Sequence, residues 1–125
     1  MIINLNKKSK IPLYEQIISE IKRNILTEKI KSNEQLPSIR KLAKSLDVSV
    51  ITVKNAYDNL ETEGYIETVS GRGSYVAELN QDLLKEKVEE KIKDYMTSLV
   101  IEAHKINMSK EALIKILEDI YEKEN

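Results

Sequence analysis

The sequence predicts a mainly α-helical chain interrupted once by a small β-hairpin, with a compact domain over residues 1–79 and a helical hairpin over residues 80–125. Three observations predict it. Apolar residues recur every three or four positions from Tyr14 to Ile25, from Ile39 to Leu46 and from Val53 to Leu60, the period of a helix with one buried face. Two β-prone runs, YIETV and SYVA, flank the glycine-containing turn SGRG and read as a hairpin. After Leu79 the pattern changes to long, uninterrupted helical periodicity.

The elements follow in order. Residues 2–5, IINL, are expected to form a short strand. Pro12 suits the first turn of a helix, where its missing N–H costs nothing. Tyr14, Ile17, Ile18, Ile21 and Ile25 then mark a helix over 13–27. The segment EKIKSNEQLP is a connector, closed by Pro37. Ser38 is a good N-cap for a short amphipathic helix carrying Ile39, Leu42, Ala43 and Leu46. Asp47-Val48 makes a tight turn, and Ser49 caps a third helix with the buried stripe Val53, Ala56, Tyr57 and Leu60. Gly64 is its left-handed stop. Three helices and a hairpin, with a short turn between the last two helices, make a winged helix-turn-helix.

Beyond it, Leu84, Val88, Ile92, Tyr95, Met96 and Leu99 define a long helix of about residues 82–105. Asn107-Met108 interrupts it. Ser109 caps a final helix carrying Leu113, Ile116, Leu117 and Ile120.

Composition excludes several classes. There is no cysteine, so disulfides and thiolate metal sites are excluded and a reducing cytoplasm suits the chain. No apolar run reaches the roughly 18 residues of a membrane span, and the start, MIINLNKKSK, lacks the apolar core of a signal peptide. His104 is the only histidine, with no ligand-spaced cluster around it, and no metal or cofactor is expected. Glu89-Glu90 and Glu118-Asp119 read as solvated helix faces. No P-loop, nucleophile–base pair or catalytic carboxylate pair is present, so an enzyme is not expected. Net charge is only −1, but residues 38–54 hold Arg40, Lys41, Lys44 and Lys54 against Asp47 alone. That local basic patch is the electrostatic mark of a nucleic-acid contact.

Residues 12–77 resemble the N-terminal DNA-binding domain of the GntR family of bacterial transcriptional regulators. The likeness is carried by PLYEQI, LPSIRKLAKSL, VSVITVKNAYDNLETEGYIE and GRGSYVA, in order and correctly spaced. The short two-helix tail is similar to that of the YtrA-type subgroup. The resemblance implies a homodimer that binds an inverted-repeat operator in double-stranded DNA, usually as a repressor, and control of a neighbouring transporter operon of the ATP-binding-cassette class. It carries Arg40, Thr52 and Lys54 as DNA-binding positions; Ser38, Ser49 and the wing tip Gly71, Arg72 and Gly73 join them on their own chemistry. Five positions depart from the family pattern. Glu28 and Asn33 stand where glycine is frequent, Ser32 where proline is, Asp47 where glycine is usual, and Val50 where many members have arginine.

The chemistry of these residue types fits. Arginine can take guanine O6 and N7 together, which suits Arg40. Lysine positions without specifying, so Lys54 is expected on the backbone. Ser38 and Ser49 can cap their helices and donate to phosphate. Glycines let the wing backbone approach closely, and Arg72 can then reach a phosphate or a narrow minor groove. At 100° per residue, Ile51 falls about 160° from core-facing Val53 and Asn55 about 200°. Ile51 is therefore expected to face outward, where it can touch a thymine methyl, and Asn55 to reach adenine. Val50, about 60° from Val53, is expected to help pack the turn. Tyr14, Tyr57 and Tyr65 are expected in packing rather than base stacking.

A lone two-helix tail cannot bury its own apolar stripe. A homodimer can, by forming a four-helix arrangement around Leu84, Val88, Ile92, Tyr95, Met96, Leu99, Leu113, Ile116, Leu117 and Ile120 of each copy. That would set two recognition helices about 34 Å apart or a multiple of it. A small-molecule effector, which the sequence does not identify, has room at the dimer interface or between tail and DNA-binding domain. The alternative reading is a protein–protein interaction module on a winged-helix scaffold, against which Arg40, Lys54 and the glycine–arginine–glycine tip weigh.

Overall fold

The computed structural model of the protein describes residues 1–78 and 81–124. The elements run α1 (Leu13–Leu26), α2 (Ile39–Leu46), α3 (Val50–Thr62), β1 (Ile66–Val69), β2 (Gly73–Val76), α4 (Gln81–Lys105) and α5 (Lys110–Glu124). They fall into two compact units, Met1–Leu84 and Lys85–Asn125. The boundary expected at residues 79 and 80 lies outside the described residues.

In the first unit, α1 starts directly after Pro12. That proline is the cap itself rather than a first-turn residue, and its carbonyl accepts from the Glu15 and Gln16 amides at 3.1 and 3.2 Å. Ile17, Ile21 and Ile25, one turn apart, are fully buried. The segment 2–5 is not a strand. Its neighbourhood takes its hydrogen bonds from α1 side chains instead of a partner strand. Asn24 Nδ2 donates to the Ile2 carbonyl at 3.1 Å, and Gln16 Oε1 accepts from the Asn6 amide at 2.8 Å. Ile3 and Leu5 pack against the core.

The helix-turn-helix forms for local reasons. Ser38 Oγ accepts from the Lys41 amide and Ser49 Oγ from the Thr52 amide, both at 3.1 Å, so each helix has a donor satisfied at its start. Asp47 takes a left-handed conformation at φ 54°, and the Val48 amide returns to the Ala43 carbonyl at 3.0 Å. Leu42, Ala43, Val53, Ala56, Tyr57 and Leu60 join the α1 isoleucines in one core. Gly64, at φ 84°, ends α3 and turns the chain into the hairpin.

Strands β1 and β2 pair antiparallel, with Ile66 opposite Val76 and Val69 opposite Gly73. The connector adds a partial third strand along β2. The Asn33 amide donates to Val76, Val76 donates to Glu34, and Leu36 donates to Ser74, at 2.8, 2.9 and 2.8 Å.

The start of α4 belongs to this unit. Gln81 Nε2 donates to the Ile25 carbonyl at 3.2 Å, and Leu84 packs half-buried against the core. This corrects the expectation that placed Leu84 on the partner-facing row of the tail. Helical periodicity marks a position as covered but not by what, and here α1's end is near enough to cover it.

In the second unit α4 ends with a left-handed bend at Asn107, φ 54°, and the Met108 amide closes onto the Ala103 carbonyl at 2.9 Å. Ser109 Oγ caps α5 through the Ala112 amide at 3.1 Å. Ala103 is the one buried residue of this unit among those described.

Candidate nucleic-acid interface

Three exposed ends of the first unit carry the expected site residues. The first is the start of α2. Ser38 spends its acceptor on the cap. Arg40, in the first turn, is exposed, and its guanidinium has no ion pair among the described residues.

The second is the start of α3. Ser49 Oγ and Thr52 Oγ1 lie 2.6 Å apart and share one hydrogen. Two hydroxyls bring two protons, so one is left to donate outward. Ile51 is 62% exposed, as the helical angle predicts. Val50 is 48% exposed, so it does not pack the turn as expected. Asn55 is exposed and lends its backbone carbonyl to Asn59 Nδ2 at 3.1 Å. Lys54 is engaged: its ammonium meets Asp58 one turn on, at 2.8 Å. An exposed pair of this kind is worth only a few tenths of a kcal/mol, so it opens readily for a better anion.

The third is the wing tip. Gly71 and Gly73 stand at φ 76° and 102°, and the Arg72 amide closes the turn onto Val69 at 2.9 Å. Arg72 is exposed. Its carbonyl accepts from Gln35 Nε2 at 2.8 Å and from the Tyr75 hydroxyl at 3.3 Å.

Sequence reasoning missed Gln35, Asp58 and Lys7. Asp58 was findable as the i+4 partner of Lys54. Gln35 meets a residue 37 positions away. Lys7 Nζ donates to the Asp47 carbonyl at 2.8 Å across 40 positions, pinning the N-terminal arm to the turn before α3. No local pattern announces either contact.

Behind these ends, Tyr57 is buried and its hydroxyl donates to the Pro37 carbonyl at 2.7 Å. Burial pushes its phenol well above the ordinary value, so it stays a neutral donor. Tyr57 and Tyr65 are core residues, as expected. Among the described residues no cluster of His, Cys, Asp or Glu could hold a metal, and no helix is long and apolar enough to cross a membrane.

The tail residues fall differently. Val88 and Leu113 are half-buried. Ile92, Tyr95, Met96, Leu99, Ile116, Leu117 and Ile120 are all exposed large apolar side chains, and Ile106, Ile114 and Tyr121 join them.

The family model described as "Bacterial regulatory proteins, gntR family" matches residues 13–76. The HTH-type transcriptional repressor YtrA of Bacillus subtilis (strain 168) is 37% identical over 118 residues, covering 94% of this chain and 91% of that protein. Among solved structures, YtrA from Sulfolobus acidocaldarius, a GntR-family transcription factor, is 34% identical with a TM-score of 0.60, over 74% of this chain and 99% of that one. The DNA-binding domain of AraR in complex with operator ORE1 is 28% identical with a TM-score of 0.53, over 62% of this chain and 94% of that one. With the capped helix pair, the wing and these relatives together, the chain belongs to the GntR family, in its YtrA-type subgroup, and is a DNA-binding transcriptional regulator rather than an enzyme.

Proposed function

We propose that the protein represses transcription as a homodimer on an inverted-repeat operator, each copy reading one half-site. The observation that carries the dimer is the row of exposed apolar side chains on α4 and α5, from Ile92 to Ile120. A monomer would leave this surface in water, and contiguous apolar patches of that kind mark interaction sites. A second copy of the same hairpin covers it with an identical, self-complementary row. Val88, Ile92, Tyr95, Met96, Leu99, Leu113, Ile116, Leu117 and Ile120 form the proposed interface; Leu84 is left out because it packs on the first unit.

On DNA, Arg40 takes guanine, Ile51 a thymine methyl and Asn55 an adenine in the major groove. Lys54 leaves Asp58 for a phosphate, and Ser38 and the one free proton of the Ser49–Thr52 hydroxyl pair donate to the backbone. Gly71 and Gly73 bring the wing close and Arg72 reaches a phosphate or the minor groove. Repression is the reading favoured by the YtrA relative, which is named a repressor. The subgroup further points to an operon for an ATP-binding-cassette transporter as the target, in a cytoplasmic setting.

The test is a gel shift on duplex from the protein's own promoter across a salt series, run beside sedimentation equilibrium. A dimer whose affinity falls steeply with salt is expected, because each neutralised phosphate releases counterions. A monomer at micromolar concentration, or equal affinity for promoter and scrambled DNA, would overturn the reading.

A further inference from the structure

We propose that Gln35 is a positioning residue for the wing: its side-chain amide holds the Arg72 carbonyl and so fixes where the Arg72 guanidinium stands relative to Arg40. The proposal rests on the reading above, in which Arg40 and Arg72 both meet DNA.

The Arg72 carbonyl has two lone pairs, and both are used. Gln35 Nε2 donates at 2.8 Å and the Tyr75 hydroxyl at 3.3 Å. Only the amide nitrogen of Gln35 can face a carbonyl, so the side chain has one productive orientation. The wing strands are four residues each, and a two-stranded hairpin that short is marginal by itself. Its tip therefore depends on what braces it from outside. Gly73 supplies the space: a Cβ there would stand 3.0 Å from Gln35 Nε2. This gives Gly73 a second purpose besides its φ of 102°.

Gln35 is itself held. Its backbone pairs with Tyr75, and Leu36 donates to the Ser74 carbonyl at 2.8 Å. Two residues on, the Pro37 carbonyl takes the Tyr57 hydroxyl at 2.7 Å, and Ser38 then caps α2. A run of four residues thus joins the wing tip, the inner face of α3 and the start of α2. Arg40 follows Gln35 by five residues, so the two arginines share one short braced frame. An arginine on a braced tip loses less freedom on binding than one on a loose loop.

The test is a double-mutant cycle in full-length protein, read by fluorescence anisotropy on promoter duplex. Gln35→Met keeps the length and removes the donor. It is expected to weaken binding by roughly 3- to 10-fold, the worth of one hydrogen bond. Arg72→Ala should cost roughly 10-fold with Gln35 present and less than about 2-fold in the Gln35→Met background. Arg40→Ala should cost the same in both, which a merely structural role for Gln35 would not produce. An Arg72→Ala penalty unchanged by Gln35→Met overturns the proposal while leaving the wing reading intact. No Arg72→Ala penalty with Gln35 present overturns both. If Gln35→Met does not fold, as read by circular dichroism, Gln35→Ala removes the same donor from this exposed position and the same cycle decides in the same way.

Discussion

In the dimer proposed above, replacing Ile92 by Asp should separate the two copies and release the operator in one step. Ile92 lies on α4 with half its surface exposed in the single chain. Full burial of an isoleucine is worth about 1.5–3 kcal/mol, so covering the exposed half gains about 0.7–1.5 kcal/mol per copy. A two-fold interface contains the residue twice, so losing the side chain alone costs about 1.5–3 kcal/mol of dimer stability. The aspartates then add the cost of desolvating two carboxylates in an apolar row, several kcal/mol after relaxation. A total above about 4 kcal/mol weakens the dimer at least roughly a thousandfold. The same side chain is exposed in the monomer, so helicity by circular dichroism should change little. Sedimentation equilibrium reads the dimer constant, and anisotropy on the promoter duplex reads binding of the paired half-sites. A dimer constant within threefold of the starting protein would sink the argument, because it would mean that Ile92 faces water in the assembly as well.

The remaining predictions concern the first unit. Arg40→Ala should weaken operator binding by roughly 1–3 kcal/mol and relax discrimination at one guanine, with scrambled DNA bound much as before. Ile51→Ser should reduce the preference for thymine over uracil at its contact position in a competition assay; an unchanged preference means that the exposed side chain touches no methyl. Asp58→Asn frees Lys54 and removes a negative charge beside it, so operator and scrambled duplex should both bind roughly 2- to 5-fold tighter, and the ratio between them should stay the same in the gel shift. Tyr57→Phe leaves the Pro37 carbonyl without its donor, at a cost of about 1–3 kcal/mol in urea denaturation. Its pH signature is separable. Burial holds the folded phenol above its ordinary value, so the stability it contributes is intact below about pH 10 and lost as pH climbs from there. The difference between the parent and Tyr57→Phe should shrink above that pH; a constant difference would assign the loss to packing.

Much of the fold was legible because its determinants are local. Ser38, Ser49 and Ser109 each cap the helix that follows them, and each is recognisable one turn before an apolar stripe. Asn33 and Asp47 both adopt left-handed conformations where the family favours glycine. The outward direction of Ile51 follows from helix geometry alone. What escaped was decided between distant segments. The IINL run has strand-like composition, yet Asn24 and Gln16 on α1 take the polar groups of the arm, and no strand lies beside it. Leu84 has the right period for the tail row and the wrong neighbour. Val50 lies near the core by angle yet is 48% exposed as the first residue of α3, and an angular projection carries no information about position along the axis. Gln35 and Lys7 act across 37 and 40 positions on backbone carbonyls, which any donor of suitable length can reach. Such contacts leave no residue pattern to read.

The chain's three glycines all stand at positive φ in or beside the wing, at positions 64, 71 and 73. Its other left-handed bends fall on Glu28, Asn33, Asp47 and Asn107. This distribution has a thermal consequence. A chain poor in glycine samples fewer conformations when unfolded and forfeits less entropy when it folds. Each side-chained bend works against that gain through its Cβ, modestly for Asn and Asp, whose short polar groups suit the conformation, and by about 1–2 kcal/mol for a longer residue. Glu28 is the one bend where the balance tips the wrong way. Glu28→Gly sets relief of about 1–2 kcal/mol against about 0.4–1 kcal/mol of added unfolded-state freedom, a small net gain at a position that carries none of the DNA-facing or tail residues.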